Sequence, residues 1–299
     1  MAFYTLKCAL CGREFPAEST LKTCPDCGIH GTMHVLYDYD GVKKQIDRTS
    51  LAADPRFSLW RYEALLPVRK NSRRPTLQVG WTPLYDMPQI ASEYDVGQLL
   101  IKDDGRNPTA SLKDRASAVA VTLAAERNRD VLACASTGNA ASSLAGFAAN
   151  MGLKSVIFVP ETAPVAKVTQ LLVFGARVFL VKGDYAAAVR LAIEAIEHYD
   201  WYDRNCAINP FLVEGKKTCA MEIAEQCAWD VPDKVFVSVG DGCIVSSTYK
   251  GFYDLYKVGV IDRIPQIIGV QAEGACPIHR AIQEGTDKVV FGPSHTIAD

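Results

Sequence analysis

From residue 99 onward, short apolar runs alternate with helical patterns, and this restricts the fold more than any other feature of the chain. The runs are Leu99–Ile101, Val131–Cys134, Ser155–Val159, Arg177–Val181, Val235–Val239 and Ile267–Val270. Between them, apolar residues recur at helical spacing, with Ala116, Val119, Ala120 and Leu123 on one predicted stripe and Ala186, Val189, Ile193 and Ile196 on another. Strands that are apolar on both sides need cover on both faces. Strand–helix–strand units also join parallel neighbours, so the predicted class is α/β with mainly parallel sheets.

A chain of 299 residues can bury the core of two domains, and 48% hydrophobic with 22% charged content is ordinary for a globular protein. A net charge of −2 disfavours a dedicated nucleic-acid binder, which needs a basic excess. No apolar run is long enough to span a bilayer, and Met1–Cys8 lacks the layout of a secretion signal. Ten cysteines, four of them in paired knuckles, suit a reducing cytoplasm better than a disulfide framework.

The knuckles define a first module, residues 1–40. Cys8 and Cys11 form one pair, Cys24 and Cys27 the other, with a glycine (Gly12, Gly28) after each to turn the backbone. Four thiolates suit a tetrahedral structural zinc, and so small a segment needs such a staple. His30 and His34 read as surface residues, because four thiols already complete a site. The stretch 41–104 is an irregular lead-in, with a solvated basic segment at Arg69–Pro75.

Three polar segments interrupt the alternation. Asn107-Pro108-Thr109-Ala110-Ser111-Leu112-Lys113-Asp114 puts Lys113 at the start of a predicted helix. Poor hydration and the positive end of the helix dipole both disfavour the ammonium there, which makes a nucleophilic amine. Ser136-Thr137-Gly138-Asn139 follows a strand and opens a helix, whose free amides suit a carboxylate. Gly240-Asp241-Gly242, followed by Cys243 and Ile244, again links a strand to a helix, and its glycines admit an anion close to the backbone.

In this order, and together with Leu59–Tyr62, Gly80–Leu84, Val159–Glu161, Asn209-Pro210, Glu214–Thr218 and Gly269–Gly274, these segments resemble the fold type II (tryptophan-synthase-like) pyridoxal-phosphate enzymes, and among them threonine synthase. The resemblance implies two lobes, with 105–205 as a small lobe inserted into a large one that resumes at 206–299, and the cofactor between them. It implies Lys113 as the Schiff-base lysine and proton carrier, and Asn139 on the cofactor's ring hydroxyl. Ser136, Thr137, Gly138 and Asn139 would hold the substrate carboxylate. Gly240, Asp241, Gly242, Cys243 and Ile244 would form the cofactor-phosphate cradle, with the Asp241 side chain turned outward to avoid the phosphate. A homodimer is implied as well.

The pattern departs from threonine synthase where a substrate phosphate would sit. Ala140, Cys206, Ala207 and Leu212 stand in place of hydroxyl, amide and arginine donors, and Val79 in place of a glutamate. Charged hydrogen bonds of that kind are worth ~1.5–3 kcal/mol each, so a rebuilt, more apolar leaving-group pocket is expected. Cys206 and Cys243 are expected to face the site. The resemblance also implies further large-lobe elements after Asp299, among them the residue that meets the pyridine nitrogen. The expected activity is elimination or replacement at the β or γ carbon of a small amino acid. Threonine synthase acting on O-phosphohomoserine, a serine/threonine dehydratase-like or cysteate-synthase-like enzyme, and a non-catalytic binding protein are the alternatives.

Overall fold

The computed structural model describes residues 4–290 except 18 and 20, together with 292, 295 and 296. The first three residues, and most of those on which the chain-end reading falls, lie outside that set. Strand β1 (Tyr4–Cys8) is flanked by β2 (Glu14–Pro16) and β3 (Met33–Tyr37) in an antiparallel sheet, with Leu6 opposite Val35. Leu6, Met33, Val35 and Tyr37 are buried in the same core as Val119 and Phe252, so this sheet packs on the rest of the protein. Short helices α1 (Tyr39–Val42) and α2 (Arg48–Ala52) and a 3-10 helix (Leu59–Leu65) follow. The basic segment is tied down rather than solvated. Arg73 Nη2 donates to the Met151 carbonyl at 2.6 Å, and Arg74 pairs with Glu63 at 2.6 Å while stacking over Trp60.

The predicted strand at Leu99–Ile101 runs from Leu100 to Lys102 as β5 and pairs antiparallel with β4 (Leu84–Asp86), across the short α3 (Pro88–Glu93). Its apolar run packs only in part, with Ile101 43% exposed. An apolar run alone does not encode strand direction.

The parallel expectation holds for the largest sheet, ordered β8 (Arg177–Val181), β7 (Lys154–Pro160), β6 (Val131–Ala135), β9 (Tyr202–Asp203). Helices α4 (Lys113–Glu126), α5 (Asn139–Asn150), α6 (Val165–Val173) and α7 (Tyr185–His198) lie between or before these strands. Leu132, Ile157 and Val159 join the main core with Leu144 and Phe147 of α5, whereas Ala133, Val156 and Phe158 pack on α7. Both faces are therefore covered. The buried stripe of α7 is Ala188, Ala192 and Ile196; Ala186 is exposed, so the predicted stripe was rotated. Helix α4 is buried all round from Asp114 to Ala124, broader than the single predicted stripe.

The chain continues through α8 (Phe211–Lys216), α9 (Thr218–Gln226), β10 (Lys234–Ser238), α10 (Cys243–Lys257), β11 (Gln266–Val270) and α11 (Pro277–Gln283). Strands β10 and β11 pair in parallel. Phe236 is 67% and Val270 52% exposed, so among the described residues this sheet lacks the double cover expected of it.

Helices α4 and α8 approach until backbone meets backbone. A Cβ on Gly215 would lie 2.2 Å from the Arg115 carbonyl oxygen, which no side-chain adjustment can relieve. The contact is locked by buried charge. The Arg115 guanidinium pairs with Glu222 at 2.5 Å and Asp104 at 2.7 Å, and Lys102 reaches Glu222 at 2.8 Å. Both cations hold Glu222 ionised although it is fully buried, and Asp104 is pulled down to about 2 against the opposing effect of burial. Glu222→Ala would strand Arg115 and part of Lys102 in the interior. It should cost ~3–5 kcal/mol of stability, read as a lowered midpoint in chemical denaturation, and an unchanged midpoint would refute the pairing argument.

Candidate functional site

Lys113 is the first residue of α4. Its amide donates to Ser111 Oγ at 3.1 Å. The turn before it is braced by Asp114, whose carboxylate accepts from the Thr109 amide at 2.6 Å and from the Thr109 hydroxyl, while Ala110 sits at φ 58°. The half-buried Lys113 amine is held below the usual lysine value of 10.5. Burial contributes most, followed by repulsion from Lys216, and Arg204 acts in the same sense.

Those two cations are the chief finding that sequence reasoning missed. Arg204 follows β9, and its amide pairs with the Ala133 carbonyl at 2.9 Å. Its guanidinium donates to the Lys113 carbonyl at 3.3 Å and to Ser117 Oγ at 3.2 Å. The Asn209-Pro210 turn aims α8. Asn209 Nδ2 donates to the Asp203 carbonyl at 2.8 Å and its Oδ1 accepts from the Phe211 amide at 3.0 Å. Lys216 lies at the end of α8, and the two cations converge on one sulfur. Lys216 Nζ is 3.2 Å and Arg204 Nη1 3.4 Å from Cys206 Sγ. Burial raises the Cys206 thiol, but Arg204 and Lys216 outweigh it and the net shift is downward.

Cys206 and Cys243 do come together, with Cys243 Sγ 3.6 Å from the Cys206 carbonyl. An apolar leaving-group pocket is not what surrounds them, because two buried cations stand beside Lys113. The signal was present as the Lys216-Lys217 doublet on a buried helix. One of the pair, Lys217, is neutralised by Glu214 and by Asp254 at 2.5 Å, and its neighbour points elsewhere.

The second segment lies as the sequence predicts. Ser136, Thr137 and Gly138 span the turn from β6 to α5, which begins at Asn139, and the Gly138 amide donates to Ser136 Oγ at 3.2 Å. Asn139 is exposed.

In the third segment, Gly242 adopts φ 82° and α10 begins at Cys243, with Ile244 in its first turn. Asp241 does not turn outward. Its Oδ1 accepts from the Cys243 amide at 2.9 Å, because an unsatisfied helix-start amide is a better partner than solvent. Burial raises the Asp241 carboxyl, yet the Cys243 amide, Lys216 and Lys113 together hold it below the usual range. The influence of Lys113 on Asp241 ties the first and third segments to one site.

These residues fit pyridoxal phosphate. A suppressed amine is available for an aldehyde. A Cβ built on Gly138 or Gly240 would meet nothing within 4 Å, so both loops leave open space for a ligand. Surface clefts of about 420 and 980 Å³ lie elsewhere and are lined neither by Lys113 nor by these glycines.

The model of the family described as "Pyridoxal-phosphate dependent enzyme" matches residues 75–299. Threonine synthase of Methanocaldococcus jannaschii is 37% identical over 294 residues, which are 98% of this chain and 71% of that protein. Threonine synthase of Methanosarcina acetivorans is 37% identical over 96% of this chain and 69% of its own length. The chain belongs to the pyridoxal-phosphate-dependent enzymes, as a lyase resembling threonine synthase. Among solved structures, threonine deaminase isoform 2 from Solanum lycopersicum superposes with a TM-score of 0.60 at 22% identity, over 85% of this chain and 63% of that one. Diaminopropionate ammonia lyase from Escherichia coli gives 0.62 at 21%, over 79% and 65%. These likenesses establish the type II fold.

The four knuckle cysteines also meet. Their sulfurs lie within 4.8 Å of one another, and Cys11 Sγ is 3.7 Å from Cys24 Sγ. A tetrahedron with Zn–S bonds of about 2.3 Å has edges of about 3.8 Å, so the donor set fits zinc. Gly12 and Gly28 both take positive φ, as the knuckle turns require. Neither His30 nor His34 joins the group.

The electrostatics of Lys113 can be read directly. Competitive acylation of the cofactor-free protein, followed by peptide mass spectrometry, should give Lys113 a titration midpoint below 10.5. Lys216→Met removes a like charge and should raise that midpoint. No change in the variant would show that the two amines do not sense each other.

Proposed function

We propose that this protein catalyses elimination or replacement at the β or γ carbon of a small amino acid, with Lys113 bonded to the cofactor and moving protons between substrate carbons. The observation that carries the reading is the half-buried Lys113 amine at the start of α4, suppressed by burial and Lys216, within electrostatic reach of the loop that starts α10. When bound, pyridoxal phosphate supplies an electron sink for a substrate carbanion. This chain's residues do the rest. The free amides at the start of α5, at Ser136, Thr137, Gly138 and Asn139, bind the substrate carboxylate at a positive dipole end. Asn139 orients the cofactor ring. Gly240, Gly242, Cys243 and Ile244 hold the phosphate tail, and Asp241 gives up its bond to the Cys243 amide to admit it.

Threonine synthase acting on O-phosphohomoserine is the second reading. It is favoured by the 37% identity to the two archaeal threonine synthases and by the two cations beside Lys113. Mass-spectrometric product profiles over O-substituted and free hydroxy-amino acids separate the two readings. Lys113→Ala should abolish the cofactor's absorbance band and reduce turnover on the order of 10³-fold or more. Retention of both would end the assignment.

We further read Cys8, Cys11, Cys24 and Cys27 as a structural zinc site. The module abuts α8, since Tyr37 Oη donates to Glu214 Oε2 at 2.7 Å inside the core. Metal analysis should return one zinc per chain, and chelation should lower the unfolding temperature. A metal-free protein that unfolds at the same temperature would be the contrary result.

A further inference from the structure

Five arginines and lysines are buried among the described residues: Arg61, Arg115, Arg204, Lys216 and Lys217. Three have carboxylate partners. Arg61 pairs with Glu225 at 2.6 Å, Arg115 with Asp104 and Glu222, and Lys217 with Glu214 and Asp254. The other two, Arg204 and Lys216, are each only 1% exposed and meet no carboxylate oxygen. They share one donor target of any anionic character, the Cys206 sulfur, and they do so beside Lys113. Asp241 influences Lys216 electrostatically, but its own oxygen is engaged by the Cys243 amide. Two buried cations against one soft thiolate leave positive charge uncompensated where isolated charge is costly.

We propose that Arg204 and Lys216 form a subsite for a tetrahedral oxyanion, a phosphate- or sulfate-type group, for which the Cys206 thiolate is the resident counter-ion. The proposal rests on the reading of Lys113 as the cofactor lysine, and it narrows the substrate or co-substrate to one that carries such a group. The residues differ from those the resemblance implies for a substrate phosphate, whose places hold Ala140, Cys206, Ala207 and Leu212. A planar guanidinium and a flexible ammonium suit this task, because one fixes two oxygens and the other follows the charge. The oxyanion has two sources, a substituent on the substrate or the cofactor's own tail, since Lys216 also acts on Asp241 of the loop that starts α10.

Calorimetric titration of the full chain with inorganic phosphate, with and without bound cofactor, tests the subsite. Wild type should bind phosphate. Lys216→Met and Arg204→Met should each weaken binding by about tenfold or more, the effect of losing one charged hydrogen bond. Cys206→Ser, which removes the competing thiolate in nearly the same volume, should tighten it. A merely structural role for Cys206 predicts no gain. Phosphate binding that persists in the cofactor-loaded enzyme assigns the subsite to a substrate group. Binding seen only without cofactor, with cofactor affinity falling in Lys216→Met, assigns it to the cofactor tail. Absence of phosphate binding in both forms, or binding unaltered in all three variants, overturns the proposal. Phosphate binding by a loaded enzyme that turns over nothing would instead count against the proposed function and leave the subsite standing.

Discussion

The site depends on the contact between α4 and α8. Gly215 lets the two helix backbones touch at Arg115, and only at that separation can a lysine at the start of α4 and one at the end of α8 influence each other. A side chain at 215 would push α8 outward and carry Lys216 away from Cys206. Buried ion pairs on either side hold the contact in register. Arg115 is clamped by Asp104 and Glu222, and Lys217 by Glu214 and Asp254. Buried pairs of this kind add little net stability over an apolar core, but they penalise any misaligned arrangement heavily, because a misplaced helix would leave a charge unpaired.

The same pairs tie the cysteine module to the catalytic elements. Tyr37 bonds to Glu214, which neutralises Lys217, the neighbour of Lys216. Tyr39 bonds to Asp254 of α10 at 2.7 Å, and α10 starts at the loop proposed for the cofactor phosphate. Two aromatic hydroxyls from the N-terminal segment thus end on the two carboxylates that fix α8 and α10. Ordering the β1–β3 sheet thereby stiffens the frame around the site without contributing a residue to it.

What was legible in the sequence was local. Lys113 at a helix start, the polar turns after β6 and β10, the paired knuckles and the buried strands of the four-stranded sheet are all encoded within a few residues of one another. What was not legible depended on distance or on competition. Arg204, Cys206 and Lys216 meet Lys113 across some hundred residues of chain, and no spacing rule links them. Asp241 was expected to avoid a phosphate. The free amide of Cys243 offers it a better partner than water, a contest that side-chain charge alone does not decide. The β4–β5 pair failed for a third reason, because an apolar run has the same pattern in either strand direction.

The depressed Lys113 amine and the excess of cations around Cys206 are one electrostatic fact. Cys206 and Asp241 both act to keep Lys113 protonated, and the net shift is nonetheless downward because burial, Lys216 and Arg204 outweigh them. A neutral amine is what covalent attachment to an aldehyde requires. Had Lys216 or Arg204 been given a carboxylate of its own, as Arg115 and Lys217 were, its field at Lys113 would have been cancelled and the amine would have stayed charged. Leaving those two cations short of an anion therefore serves the nucleophile directly, and it leaves them with charge to offer to whatever oxyanion enters beside it.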